Sequence, residues 1–386
     1  PGSLHVERHA NSPRPAGAAA DIDRTIVNPA RLPRELAEAV CQQCHMQPDL
    51  MAVARGRKLS DFRPGLPLQD FRHHYTFEAG DEGMMVIGHV EQLHLSRCYQ
   101  GSDTLTCLTC HDPHGEPRPE DRTAYYRSVC LGCHKPERCT VPARRREQES
   151  PDNDCVHCHM PRSPTEIPHL AFTHHRIGIH DRAAEAAPAR QPRRGELRPF
   201  HDLSRLSEID RQRSLGLAYL AAASREEDAV WRGRYEARAW DLLSGARAAG
   251  LRDAVLDTAL ARLGHEMKKG GVLEYAQSAL ADPDLSGPYR CEALSLLADE
   301  QADRGRNEEA ATALRELTRL RRHPDDWRRL ANSERALGHA DAADEALETA
   351  ARINPRAWKV QQYLADYYRR RGDAERAAWH ELRAVP

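Results

Sequence analysis

Residues 107–115 read Cys-Leu-Thr-Cys-His-Asp-Pro-His-Gly, and the frame that opens this run, Cys-x-x-Cys-His, occurs four times before residue 160 of a 386-residue chain. The copies are Cys41, Cys44 and His45; Cys107, Cys110 and His111; Cys130, Cys133 and His134; and Cys155, Cys158 and His159. In this frame two thiols are placed to add across the vinyl groups of a haem, and the histidine that follows coordinates the iron from the proximal side. Zinc is the competing reading, because four cysteine pairs would fill two four-thiolate sites. Zinc needs no histidine after every pair, whereas all four pairs here have one. The motifs therefore predict four covalently attached haem c groups, with the eight cysteines as thioether donors and His45, His111, His134 and His159 as proximal ligands.

Histidine is concentrated in the same part of the chain. Of 21 histidines, 16 precede residue 186, and 12 remain once the proximal four are set aside. That is enough to give every iron a second imidazole. The free histidines fall in patches: His73 and His74; His89 and His94; His114; and His169, His174 and His175. Since the patches lie between and beyond the motifs, His74, His89, His114 and His175 are the leading distal candidates, with His5, His94, His169 and His174 behind them. His114 follows His111 by three residues and cannot easily reach the opposite face of the same iron, so it is expected to serve a neighbouring haem. His157, between the cysteines of the fourth motif, reads as a spacer. Met84 or Met85 is an alternative ligand at one site, where it would raise the potential. Only 18 residues separate His111 from Cys130 and 20 separate His134 from Cys155, so these haems are expected to be close neighbours.

Composition divides the chain. Residues 1–185 are rich in Pro, Gly and His, with few large apolar side chains and little amphipathic periodicity. They predict short helices and loops wrapped on cofactors, with porphyrin surface supplying much of the core. This segment carries 22 Lys and Arg against 25 Asp and Glu, and ionised propionates on four haems would take it to about −11. An acidic holo domain predicts a redox partner with a basic docking surface and argues against nucleic acid. Cys98, Cys139 and Cys291 lie outside the motifs; Cys98 and Cys139 read either as a disulfide of an oxidising compartment or as two buried free thiols. No run of 18 apolar residues is present, so no membrane span is expected. Haem attachment requires export, and no signal peptide is visible. The reading is a mature or truncated product starting at Pro1, in the periplasm or outside the cell.

Residues 186–200 form an expected linker, after which the texture changes to Ala, Leu, Arg and Glu at helical spacing. Gly271, Gly305, Gly338 and Gly372 fall 34, 33 and 34 residues apart, each followed five residues later by an alanine: Ala276, Ala310, Ala343 and Ala377. This is the period of the tetratricopeptide repeat. Trp327, Leu330, Leu337, Gly338, Ala343, Leu347 and Pro355 read as one unit, and Trp358, Leu364, Tyr368, Gly372 and Ala377 as the next. Residues 201–250, with Gly216, Tyr219, Tyr235 and Trp240, read as a degenerate first pair carrying an insertion. The predicted fold is mainly α: a haem-wrapped domain over 1–185, then a right-handed α-solenoid of helical hairpins over 201–386. Gly338 is expected where the first helix of its unit ends or packs closely on the second, so that a bulky residue would push the pair apart.

The order of motifs resembles a known group. Gly88-His89-Val90-Glu91-Gln92, Ser96-Arg97-Cys98, Leu105 through Gly115, and Cys155-Val156-His157-Cys158-His159-Met160-Pro161 are similar to the cytochrome c552/c554-type multihaem proteins that carry tetratricopeptide repeats. The resemblance spans both halves. Such proteins typically end the haem part with a histidine before Arg-Ile, matched by His175, Arg176 and Ile177. They often contain Cys-x-x-Cys-His-Gly-Pro-Gly-x-x-His, and Pro1-Gly2-Ser3-Leu4-His5 resembles its tail, which implies a further haem site upstream and a distal role for His5. A disordered arm is the other reading of those residues. The group also often places a histidine between the third and fourth motifs, and this chain has none between His134 and His157.

Three functions follow as expectations. The first is an exported electron carrier in which at least four haems form a wire and the repeats dock a protein or peptide in their groove. The second is a haem enzyme acting on a nitrogen or sulfur oxyanion at one five-coordinate iron, though 12 spare histidines remove the need for an open site. The third is a scaffold in which the repeats matter most.

Overall fold

The computed structural model describes residues 2–10, 23–78, 88–150, 152–163, 172–180 and 194–385. It divides into two compact units, Pro1–Arg205 and Leu206–Pro386.

The first unit is built of short pieces: α1 (Ser3–Ala10), α2 (Arg34–His45), β1 (Leu50–Val53), β2 (Arg72–Phe77), α3 (His89–His94), α4 (Arg97–Gln100), α5 (Cys107–Cys110), α6 (Arg122–Leu131), α7 (Ala143–Glu149), α8 (Cys155–His159), β3 (Arg162–Ser163), β4 (Phe172–Thr173) and β5 (Leu197–Pro199). Strands β1, β2 and β5 form an antiparallel sheet in that order, with Leu50 opposite Tyr75 and Phe77 opposite Leu197. Sequence reasoning expected neither this sheet nor its last strand, which falls within the anticipated linker. As the middle strand β2 is paired along both edges, and His73, His74 and Tyr75 are buried in succession, so both its faces are covered as well. Pro199 is tolerated because β5 lies at the edge, where a missing N–H breaks no ladder. The haem unit thus reaches Arg205, and His201 belongs to it rather than to the repeats.

Among the described residues, apolar packing in this unit is confined to the neighbourhood of the first motif. Ala39, Phe62, Leu68 and Phe71 form a cluster in which the two phenylalanine rings meet edge to face at 5.7 Å. Between Val90 and Leu197 no hydrophobic side chain among the described residues is buried. The three later motifs therefore sit where the polypeptide has no apolar core of its own, as the composition predicted.

The second unit is a run of five helical hairpins: α9 (Glu208–Arg225) with α10 (Ala229–Ala248), α11 (Ala254–Glu266) with α12 (Val272–Leu280), α13 (Gly287–Asp303) with α14 (Asn307–Leu320), α15 (Pro324–Ala336) with α16 (Ala340–Ile353), and α17 (Trp358–Arg370) with α18 (Ala374–Glu381). Each hairpin packs on the next, and one continuous core runs from Leu294 through Leu314, Leu330 and Leu347 to Leu364. The phased alanines Ala276, Ala310, Ala343 and Ala377 are buried near the start of the second helix of their pairs, where only a small side chain lets the helices meet.

Gly305, Gly338 and Gly372 have φ of +71°, +82° and +76° and stand just past the first helix of their hairpins. At Gly338 the His339 N–H donates to the Glu334 carbonyl (2.9 Å) and the Gly338 N–H to the Arg335 carbonyl (3.0 Å), a Schellman closure of α15. A Cβ at Gly338 would meet nothing within 4 Å. Its requirement is a left-handed backbone, not the close packing that the sequence left as the alternative. Gly271 plays a different part: it caps the start of α12 at φ +88°, while Lys268, at φ +53°, ends α11 in the left-handed conformation. In the first pair the extra residues lengthen both helices rather than form an insertion. Here the close approach is at Gly216, where a Cβ would lie 2.7 Å from Leu243 Cγ.

Candidate functional site

All four Cys-x-x-Cys-His frames take up a helical turn. The first closes α2, the second is α5 with His111 as its C-cap, and the fourth is α8. The third runs off the end of α6, with the His134 N–H donating to the Cys130 carbonyl at 2.9 Å. One turn places the residues at i, i+3 and i+4 on a single helical face, which is the presentation that two thioethers and a proximal imidazole of one haem require.

Consecutive motifs adjoin. The Cys41 and Cys107 thiols are within hydrogen-bonding reach, which holds Cys41 down and pushes Cys107 up. Cys110 lies close enough to Cys133 for their charges to interact, and α5 packs against α6. Cys130 lies near Cys155, burial raises its thiol to about 11, and α6 packs on α8. Each motif thus lies near the next in chain order. None of the eleven cysteines is joined in a disulfide, and Cys98 and Cys139 are not two buried thiols either, since Cys139 is exposed; Cys98 lies near Cys110, and Cys291 is buried in the repeat core.

Four histidines from distant parts of the sequence gather at the junction of the first two motifs. His45 Nδ1 is 3.2 Å from His89 Nδ1; the His89 and His175 ring centroids are 4.2 Å apart, and those of His111 and His175 are 6.2 Å apart. Two proximal residues and two distal candidates therefore share one place. Burial lowers His89 and His111 and brings His175 down to about 4, so all three are neutral at pH 7 and keep a lone pair for a metal.

Hydrogen bonding sets which ring nitrogen is available. His175 Nδ1 is 2.9 Å from the Thr173 carbonyl, and His159 Nδ1 is 2.9 Å from the Gly178 carbonyl. A carbonyl only accepts, so in both residues Nδ1 carries the proton and the Nε2 lone pair is left for a metal. His174 is the converse: its Nδ1 accepts from the Arg176 N–H at 3.2 Å. In the neutral ring that puts the proton on Nε2. Burial holds His174 at about 4, and its ring packs against His180.

The other candidates are dispersed. His94 Nε2 faces Glu38 at 3.1 Å, with Tyr99 donating to the same carboxylate at 2.8 Å. His5 Nδ1 faces Asp23 at 2.8 Å. His114 is exposed on the turn after the second motif. His74 is buried in β2, and desolvation brings it down to about 3; it packs beside His201, which burial holds at about 4. His169, Met84 and Met85 lie outside the described residues. Sequence reasoning did not single out His201, whose Nε2 is 3.0 Å from Gln42 inside the first motif. Nothing in its spacing pointed there, since it follows the segment read as a linker.

The donor set fits haem c. Neutral imidazoles stand beside the paired thiols of the first two motifs, and the buried Nδ1 atoms of His74 and His201 have no hydrogen-bond partner among the described residues.

Residues 101–138, which contain the second and third frames, match the family model for the doubled CXXCH motif. No curated protein matches. Among solved structures, similarity is found to MamA AMB-1 (20% identity, 46% of this chain and 89% of that one, TM-score 0.37). It is also found to MamA MSR-1 (19%, 44% and 94%, TM-score 0.35) and the MamA RS-1 ArsTM double mutant (14%, 44% and 92%, TM-score 0.37). These overlaps are low, and the assignment of the hairpin array rests on its own helices. Frames, match and fold define a multihaem c-type cytochrome with a C-terminal array of tetratricopeptide-like hairpins. Attachment of c-type haem implies an exported, non-cytoplasmic protein. Among the described residues no helix is long and apolar enough to cross a membrane.

Proposed function

We propose that this chain carries four haem c groups and is an electron-transfer protein of the periplasm or cell exterior. Cys41 and Cys44, Cys107 and Cys110, Cys130 and Cys133, and Cys155 and Cys158 anchor the groups, and the histidine after each pair is the proximal ligand. When bound, haem c supplies a one-electron iron couple whose potential follows from axial ligation and burial. The residues supply spacing. The observation that carries the reading is that each motif adjoins its successor, from Cys41 against Cys107 to Cys130 against Cys155.

His89 and His175 are the distal ligands this reading favours for the first two motifs, because they stand with His45 and His111. His175 is preferred to His174 by its Nδ1 bond to the Thr173 carbonyl. The repeat array is read as the docking module for a protein partner, as stacked hairpins present extended surfaces, and the acidic holo domain as the face for a basic redox partner.

The test is a spectrum of the reduced holoprotein with and without carbon monoxide. Bis-histidine ligation predicts no shift on adding the gas. A shift equivalent to a full haem would show an open iron and favour a small-molecule reaction over pure electron transfer.

A further inference from the structure

Between Thr173 and Gly178 the chain has little regular structure, yet it carries His175, whose ring stacks on that of His89. A distal ligand must be held within a few tenths of an ångström, and a free loop does not do that. What fixes the segment is a pair of buried polar side chains on and just beyond α3. Gln92 is 3% exposed and Ser96 1% exposed. Gln92 Oε1 accepts the His175 N–H at 2.9 Å. Ser96 Oγ accepts the Ile177 N–H at 2.8 Å and lies 3.3 Å from the His175 carbonyl, to which its hydroxyl can donate. The backbone is therefore held on both sides of His175, and the Thr173 carbonyl fixes the ring by its Nδ1.

We propose that Gln92 and Ser96 are positioning residues that dock the His175 segment on α3 and so set the distal coordination of a haem at the first two motifs. This rests on the reading of His175 as a distal ligand. His89 and Gln92 are three residues apart, one helical turn, so a single short helix presents one imidazole and holds the backbone of a second. Orientation of the Gln92 amide is set by its partner, because a reversed amide would point a donor at the His175 N–H. Gln92 Nε2 is buried and without a hydrogen-bond partner among the described residues. An orphaned donor is costly, and an apolar residue of the same length would avoid that cost but leave the His175 N–H without its acceptor. The placement makes sense if the acceptor oxygen is what matters. Val90, buried on the neighbouring face of the helix, supplies the ordinary packing.

The experiment uses the haem-loaded full chain and reads spin state by low-temperature electron paramagnetic resonance, with thermal unfolding of the same samples followed by circular dichroism. His175→Ala is the reference variant and should convert one haem equivalent to high spin and make it bind carbon monoxide. Ser96→Ala and Gln92→Leu should each give a partial high-spin signal at that same haem, and the double variant should approach the His175→Ala signal. Ser96→Thr, which keeps the hydroxyl, should restore low spin. If His175→Ala changes nothing, the ligand assignment fails. If His175→Ala opens a site while Ser96→Ala and Gln92→Leu stay fully low-spin, the ligand assignment stands and the positioning role is overturned. Loss of thermal stability in those two variants without any high-spin signal also overturns it, since that is what a merely structural contact would give.

Discussion

Replacing Gly338 separates two explanations of the phased glycines. The residue has φ +82° and open space where a Cβ would stand, so any cost must come from the backbone. A left-handed L-residue costs about 1–2 kcal/mol, and the lower entropy of the unfolded alanine chain returns about 0.4–1 kcal/mol. Gly338→Ala should therefore destabilise the array by about 1 kcal/mol net. Gly338→Leu should cost the same to within about 0.5 kcal/mol, since the added atoms face solvent. At Gly216 side-chain size matters instead. Its backbone is helical and its missing Cβ would lie 2.7 Å from Leu243 Cγ, so overpacking of about 1–3 kcal/mol works against the gain in helix propensity. There leucine should be worse than alanine by at least about 1 kcal/mol. Urea unfolding of the four variants, followed by far-ultraviolet circular dichroism, measures both series. A cost at Gly338 that climbs with side-chain size, or no cost for alanine, would refute the backbone explanation.

Two further outcomes follow from the same geometry. Lys268→Gly, which puts a permissive residue at the left-handed end of α11, should stabilise the array by about 1 kcal/mol in the same assay, and a neutral or negative effect would show that the turn is held by the lysine side chain. Residues 206–386 expressed alone should be helical and melt cooperatively without haem, because each hairpin packs on the next and the last three share a continuous apolar core, whereas residues 1–205 made without haem should not; a cooperative melt of the haem-free segment would contradict the role given to the cofactors.

Legibility in the sequence followed the range of the interaction involved. The Cys-x-x-Cys-His frames are local and were read directly, and so were the hairpin array and three of its four glycine turns, since each is fixed by neighbours one turn away. Gly271 fitted the period but not the role, because α11 ends three residues earlier on Lys268, whose left-handed backbone no propensity would favour. Strand β5 is not legible locally: its partner β2 lies about 120 residues away, and Pro199 and the surrounding arginines read as linker. His201, just beyond that strand, is hidden for the same reason. The meeting of His45, His89, His111 and His175 depends on the docking of residues 173–177 against α3. Gln92 and Ser96 make that docking, and they are ordinary polar residues until the chain folds back on them.

The central claim, four haems attached one to each frame, is tested most directly by the intact mass of the full chain under denaturing conditions, after maturation in a host that attaches c-type haem. The account predicts a mass increased by four haem increments, falling to three when both cysteines of any one frame are replaced by serine. A wild-type protein with fewer than four increments, or a double-serine variant that keeps all four, would contradict it.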